Sequence, residues 1–312
     1  MHGSFRSPVD SESPVSQSDP EWVLTWDDEF NGPSGSLPDK ARWIVETGGN
    51  SWGNHELQYY TSRPENLRQE NGNLVMEATK GDFTGSDGVK RRYTSARITT
   101  QGRFSQTYGR FEARIKIPFG QGIWPAFWLL GDDFSAVGWP RCGEIDVVEN
   151  SGSKRSTIHG SMHGPGYSDT TAITSAYTLP KGRFSDDFHV FAVEWGRQAI
   201  RFYVDGELYA TRTPADLPKG SPWVYDHPFF LVLNLAVGGN LPGEPDGSTV
   251  FPQRMLVDYV RVYSRRKGNI DAVLGVERKY DERAVFTGSR DLLPVLYSFF
   301  TPRSVLAFLS DI

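Results

Sequence analysis

The chain predicts an all-β fold, a sandwich of two antiparallel sheets, on three observations. Apolar residues fall at every second position through several segments, turn signals separate those segments, and stretches of helical period are scarce. Composition agrees, since 32 Gly, 9 Trp and 13 Tyr suit tight turns and an aromatic binding face. The 312 residues hold one large domain or two small ones, and all-β folds of roughly 200–250 residues often stand as one.

Taken in order, residues 1–20 (MHGSFRSPVDSESPVSQSDP) are rich in Ser, Pro and Asp and read as a disordered leader. A packed composition then runs from WVLTWDDEFNG (22–32) to MLVDYVRVYS (255–264), which places the folded domain at 21–264. Asn71–Gly72 precedes the alternating NLVMEATK, and Asp87–Gly88 marks a later turn. GRFEARIKIP (109–118) alternates again. In AIRFYVDGELYATR (199–212) the Asp205–Gly206 pair lies between two alternating runs, so a hairpin with a type I′ turn is expected there. After Ser264 the strand rhythm stops. Residues 265–312 read as a weakly ordered tail carrying two apolar patches split by Pro302 and Arg303.

Several function classes are disfavoured. A net charge of −5 without a Lys/Arg cluster interleaved with aromatics argues against nucleic acid as a partner. The one cysteine, Cys142, allows no intrachain disulfide and reads as a small packed residue. No apolar run of about 18 residues is present, so no membrane span is expected. The N-terminus lacks the layout of a secretory signal. A soluble monomer is the expectation.

The chemistry concentrates in CGEIDVVENSG (142–152). On a strand, Glu144 and Asp146 share one face while Ile145 and Val147 share the other. Strict alternation would then bring Val148, not Glu149, onto the acidic face. One extra residue, a β-bulge, restores Glu149 to its partners, and bulges are favoured beside active sites. A solvated strand face is the plainer alternative for such a string. Against it stand the apolar intervening positions and the turn-like flanks, which place the strand centrally. Like charges gathered on one face raise at least one pKa, which suits a general acid. Two carboxyls are the equipment of glycoside hydrolysis: about 5–5.5 Å apart they retain configuration, and about 6.5–9.5 Å apart they invert it.

GEIDVVEN, preceded by GIWPAFWLLG (122–131) and followed by GSMHGPGYS (160–168), resembles family 16 of the glycoside hydrolases, most of all its laminarinase-type endo-β-1,3-glucanases. The likeness spans roughly 21–264 and includes WGNHELQYYT (52–61), YTSARITTQGRF (93–104), YGRFEARIKIP (108–118), FHVFAVEW (188–195), LNLAVGGNLPG (233–243) and VDYVRVY (257–263). It implies a β-jelly-roll with an open cleft across a concave sheet and retaining hydrolysis without a catalytic cofactor. Glu144 would be the nucleophile, Asp146 its supporting neighbour, and Glu149 the acid and then the base. The extra residue before the last Glu is the laminarinase form, which mixed-linkage lichenases usually lack, so laminarin-like β-1,3-glucan is the expected substrate. A lichenase, another β-glycan hydrolase, or a non-catalytic glucan-binding protein are the alternatives; binding relatives typically lose a catalytic Glu, and both stand here.

The same resemblance places Trp124, Trp128, Trp139, His163, Asn50, Arg97 and Asn234 along the cleft. Core packing is the alternative for the tryptophans, and backbone satisfaction within the sheet for Asn234. Leu241 stands where relatives commonly carry an aromatic. A structural calcium is implied at Glu29, the main-chain oxygen of Gly72 and Asp258, all hard oxygen donors. The family usually acts outside the cell, so extracellular action is expected although the sequence shows no export signal.

Overall fold

The structure, a computed structural model, describes residues 21–266. The reading of 1–20 as a leader lies outside the described residues, as does that of 265–312 as a tail apart from Arg265, which ends the last strand, and Arg266. In chain order the strands begin with β1 (Trp22–Asp28), β2 (Ile44–Glu46), β3 (Gln58–Tyr60), β4 (Leu67–Glu70), β5 (Asn73–Thr84) and β6 (Lys90–Ser95). They continue with β7 (Arg97–Thr99), β8 (Gly109–Lys116), β9 (Ile123–Gly131), β10 (Glu144–Glu149), β11 (Thr157–His163) and β12 (Ile173–Thr178). The last are β13 (His189–Gly196), β14 (Ala199–Val204), β15 (Glu207–Arg212), β16 (Phe229–Val237) and β17 (Gln253–Arg265). A short α-helix, α1 (Phe134–Val137), follows β9.

Two sheets result. The first runs β15-β14-β13-β8-β17-β5-β6-β3, with β1 on β17 and β4 on β5. The second runs β12-β11-β10-β9-β16-β7-β2 and is antiparallel throughout. In the first sheet the β3–β6 pair is parallel, a local departure from the expected antiparallel pattern. Between them the inward residues of both sheets form one core. Phe111, Ile115, Phe191 and Val257 from one sheet join Ile98, Phe127, Ile145, Leu231 and Leu233 from the other, all fully buried. Burial of each such side chain contributes about 1.5–3 kcal/mol.

The expected hairpin is present. Val204 pairs with Glu207 and both turn residues have positive φ, Asp205 at 49° and Gly206 at 84°, as a type I′ turn requires. NLVMEATK behaves differently from its pattern, because Leu74 through Ala78 are all buried. The outward Glu77 is covered by Arg68 and Arg254, which both pair with it. Long arginine stems hide surface that alternation alone assigns to solvent.

Candidate active site

An interior strand of the cleft-bearing sheet, β10, lies between β9 and β11 and carries the acidic string. Its pairing with β9 runs Asp146 opposite Trp128 and then Val148 opposite Phe127, so Val147 is the extra residue of a β-bulge. The pairing with β11 shifts at the same place. Val147 and Val148 are both buried in the core, and Glu149 returns to the face of Glu144 and Asp146. The strand starts here because Gly143, at φ 73°, turns the chain into it. Gly131 lets that turn close: a Cβ there would lie 1.9 Å from the Cys142 carbonyl oxygen.

Each glutamate takes an indole N–H. Trp139 donates to Glu144 Oε2 at 2.9 Å, and Trp124 donates to Glu149 Oε1 at 3.0 Å. His163, opposite Glu144 on β11, sets Nε2 3.0 Å from Asp146 Oδ2 and 3.8 Å from Glu144 Oε1. Tyr225 holds that strand end by donating to the His163 carbonyl at 2.9 Å.

Electrostatics follow from burial first. Desolvation raises all three carboxyls. Glu144 is pushed up further by the Asp146 charge, while the His163 cation and the Trp139 N–H pull it back. Glu149 rises to about 7, with His163 opposing. Burial alone would lower His163, but Asp146 and the two glutamates overrule it and push it up to about 10. The ligand atoms of Glu144, Asp146 and His163 lie within 4.8 Å of one another, a spacing that would suit a metal cation. At neutral pH the cation in that cluster is the imidazolium itself, and burial together with the mutual repulsion of the carboxyls favours keeping a proton on the glutamates.

The cleft encloses about 790 Å³, and its two wings differ. Beyond Trp124 and Trp128, the β16–β7–β2 side carries Arg97, whose guanidinium lies 4.7 Å from the Trp52 ring centroid and 4.9 Å from that of Trp128. Arg97 also pairs with Glu46 at 2.5 Å. On the β11–β12 side the cleft is lined by His159, Ser161 and Thr174. One wing is aromatic and cationic, the other small and polar.

All ten residues expected at the cleft line it: Glu144, Asp146, Glu149, Asn50, Arg97, Trp124, Trp128, Trp139, His163 and Asn234. Asn50 Oδ1 accepts from the Trp52 main-chain N–H. Asn234 bonds side chains rather than backbone: its Oδ1 accepts from Trp128 Nε1 at 2.7 Å and its Nδ2 donates to Tyr60. Leu241 lies exposed on the rim. Sequence reasoning misses Trp52, Glu56, Glu46 and Phe134 as cleft residues. Trp52 and Glu56 lie within the quoted WGNHELQYYT, but nothing in their spacing points to the cleft.

The three residues expected to hold calcium fall towards one corner of the other sheet, where Asp28 pairs with Val260 and Leu74 with Val257. The β1–β17 register ends with Asp28 opposite Val260, which brings Glu29 toward Asp258. Asn31 Oδ1 lies over Gly72. Both Glu29 carboxylate oxygens accept from Arg261, at 2.7 and 2.9 Å, and Asp258 Oδ2 accepts from Arg114 at 2.7 Å. Arginines therefore already engage both carboxylate oxygens of Glu29 and one of Asp258, so an ion at this corner would have to rely on other oxygens of the expected set.

Comparison with known proteins agrees with this geometry. The sequence profile of the glycosyl hydrolases family 16 matches residues 54–261. A beta-glucanase of Rhodothermus marinus is 41% identical over 255 residues, covering 78% of this chain and 86% of the relative. The laminarinase catalytic domain of Thermotoga maritima superposes with a TM-score of 0.74 at 48% identity, covering 78% of this chain and 98% of that one. The endo-beta-1,3-glucanase of Pyrococcus furiosus gives 0.75 at 48% identity, over 79% and 96%. Among the described residues no helix is long and apolar enough to cross a membrane.

Proposed function

The chain belongs to family 16 of the glycosyl hydrolases, and on that premise we propose that it hydrolyses internal β-1,3 bonds of laminarin-like glucans with retention of configuration. The observation that carries this reading is the bulge at Val147, which sets Glu149 beside Glu144 and Asp146 on the floor of an open cleft.

Glu144 attacks the anomeric carbon while Glu149 gives its proton to the departing glycosidic oxygen, leaving a glycosyl-enzyme ester. Water then attacks that carbon, Glu149 takes the water's proton, and the ester to Glu144 breaks. A glycosidic oxygen can only accept a hydrogen bond, so bound substrate favours the protonated form of Glu149. The anion then rests on Glu144, where the His163 cation and the Trp139 N–H stabilise it. Asp146 holds the imidazolium in place at 3.0 Å. The tryptophans offer ring faces to the C–H faces of glucose, and Arg97, Asn50 and Asn234 supply polar contacts beside them.

The reading includes action outside the cell as a monomer and a structural calcium at the Glu29–Gly72–Asp258 corner, away from the chemistry. Product profiling on laminarin, lichenan and curdlan tests it. The expected result is a ladder of β-1,3 oligosaccharides from laminarin and curdlan. Preference for lichenan would move the substrate to mixed-linkage glucan. Binding without products would make the protein a glucan-recognition module. Glu144→Gln should abolish turnover while glucan binding persists; a variant near wild-type rate removes Glu144 from the nucleophile role.

A further inference from the structure

The aromatic wing ends on a buried carboxylate that hydrolysis does not use. Glu56 is 4% exposed and lines the cleft. Among the described residues no cation lies within ion-pairing distance of it; burial raises its pKa, while the Gln58 and Tyr60 donors and the nearby Arg97 charge favour the ionised form. Two donors converge on one of its oxygens: Gln58 Nε2 at 2.5 Å and the Tyr60 hydroxyl at 3.0 Å. Gln58 Oε1 in turn accepts from the Val237 main chain of β16 at 2.8 Å. Burying a carboxylate is unfavourable, so its place needs a reason beyond packing.

The polarity of the bonds supplies one. An ionised carboxylate only accepts, so Tyr60 must spend its single hydroxyl proton on Glu56. The Tyr60 oxygen then accepts from Asn234 Nδ2 at 3.3 Å. That orientation turns Asn234 Oδ1 toward Trp128, which donates at 2.7 Å. One charge thus fixes the sense of three consecutive bonds and pins the Trp128 indole by its N–H. Tyr60 also packs edge-on against Trp52, with centroids 5.2 Å apart. The two indoles flanking Arg97 are therefore both tied to Tyr60, and Tyr60 is tied to Glu56. The loop that carries Trp52 needs such an anchor, because Ser51, Trp52 and His55 all sit at positive φ, at 63°, 46° and 59°. Strain of that kind persists only where surrounding contacts enforce it.

We propose that Glu56 is the positioning residue of the glucan-binding wing, holding Trp52, Arg97 and Trp128 in the arrangement a bound sugar chain requires. The proposal rests on the glucanase reading, and it assigns Glu56 an effect on affinity for long chains rather than on the chemical step. Glu56→Gln preserves shape but lets the amide offer N–H to Tyr60, which frees the hydroxyl to reverse and the Asn234 amide to turn over. The test is laminarihexaose binding by calorimetry in a Glu144→Gln background, with KM and kcat measured in the otherwise native enzyme. Glu56→Gln should weaken binding and raise KM about tenfold, while kcat holds on a short aryl laminaribioside that reaches only the sites beside Glu144. Tyr60→Phe cuts the same relay one step along and should give the same loss; it decides the matter alone should Glu56→Gln fail to fold. Unchanged binding in these variants, or an equal fall in kcat on the short substrate, overturns the proposal. Absence of glucan binding by the Glu144→Gln parent would instead overturn the glucanase reading.

Discussion

Trp124 donates its indole N–H to Glu149 Oε1 across 3.0 Å, and this bond opposes the burial around it. Desolvation lifts the Glu149 carboxyl to about 7, whereas the N–H stabilises its anion. The balance leaves Glu149 able both to give a proton and to take one back near neutral pH, as the proposed acid and base roles demand.

Trp124→Phe keeps an aromatic face and deletes the N–H. Without that donor the anion is less favoured, so the Glu149 pKa rises. The alkaline limb of kcat/KM in the free enzyme reports loss of the Glu149 proton, and it should move to higher pH by about one pH unit. A pH–rate profile on laminarin reads this directly. A limb that stays in place, whatever happens to the overall rate, would show that another group is the acid.

The opposite limb depends on His163. Its cation lies 3.0 Å from Asp146 and 3.8 Å from Glu144, and it lowers the pKa of both carboxyls. Removing it in His163→Asn lets them rise, so Glu144 becomes protonated at a higher pH. The acid limb of kcat/KM should move upward, and activity at neutral pH should fall about tenfold or more. Glucan affinity in a Glu144→Gln background should change far less than the rate.

The division of labour between the two glutamates has its own signature. Glu149→Ala removes the base needed in the second step but leaves the nucleophile. On an aryl glucoside with a good leaving group, azide should restore turnover and yield a β-glycosyl azide. An α-product from this variant would exchange the two roles.

Much of this site is legible in the sequence because it depends on local periodicity. The three-residue step from Asp146 to Glu149 breaks a period of two, and only a bulge reconciles it with a single acidic face. Asp205–Gly206 is readable for the same reason, since the turn's two positive φ values are a property of adjacent residues. The wing around Arg97 is not readable. Trp52, Arg97 and Trp128 come from a loop and two strands of the sheet, and no pattern within one segment reports a guanidinium between two indoles. Glu56 is hidden for a related reason: its direct partners Gln58 and Tyr60 are close in sequence, but the relay they begin runs on to Asn234 on β16 and Trp128 on β9, and a lone Glu in sequence reads as solvent-facing.

Calcium at the Glu29–Gly72–Asp258 corner predicts a stability effect without a catalytic one. At a free concentration about 100 times Kd, binding adds about 2.7 kcal/mol to the unfolding free energy. For a domain near this size that raises Tm by about 5–10 °C. Asp258→Ala should abolish the gain and leave kcat alone. Differential scanning calorimetry with calcium and with EDTA checks it. Superimposable scans would mean that Arg114 and Arg261 already neutralise the corner and no ion is held there.

The bulge makes the most demanding prediction, because insertion and deletion at one place should act in opposite ways. Deleting Val147 restores strict alternation, Glu-Ile-Asp-Val-Glu, and the last carboxyl stays on the cleft face. The variant loses one buried valine at a cost of about 1–3 kcal/mol and the local twist the bulge supplies, so it should fold, with lowered Tm and reduced but measurable glucanase activity. Inserting one alanine after Val148 adds a residue in the other sense. If the bulge is kept, the glutamate points into the core that Val147 and Val148 enter, where an unpaired carboxylate is strongly unfavourable. That variant should lose activity entirely and lose far more stability than the deletion. Side-by-side kcat/KM on laminarin and thermal unfolding decide it. Equal damage from the two changes would mean that strand length, rather than the face on which Glu149 emerges, is what the extra residue sets.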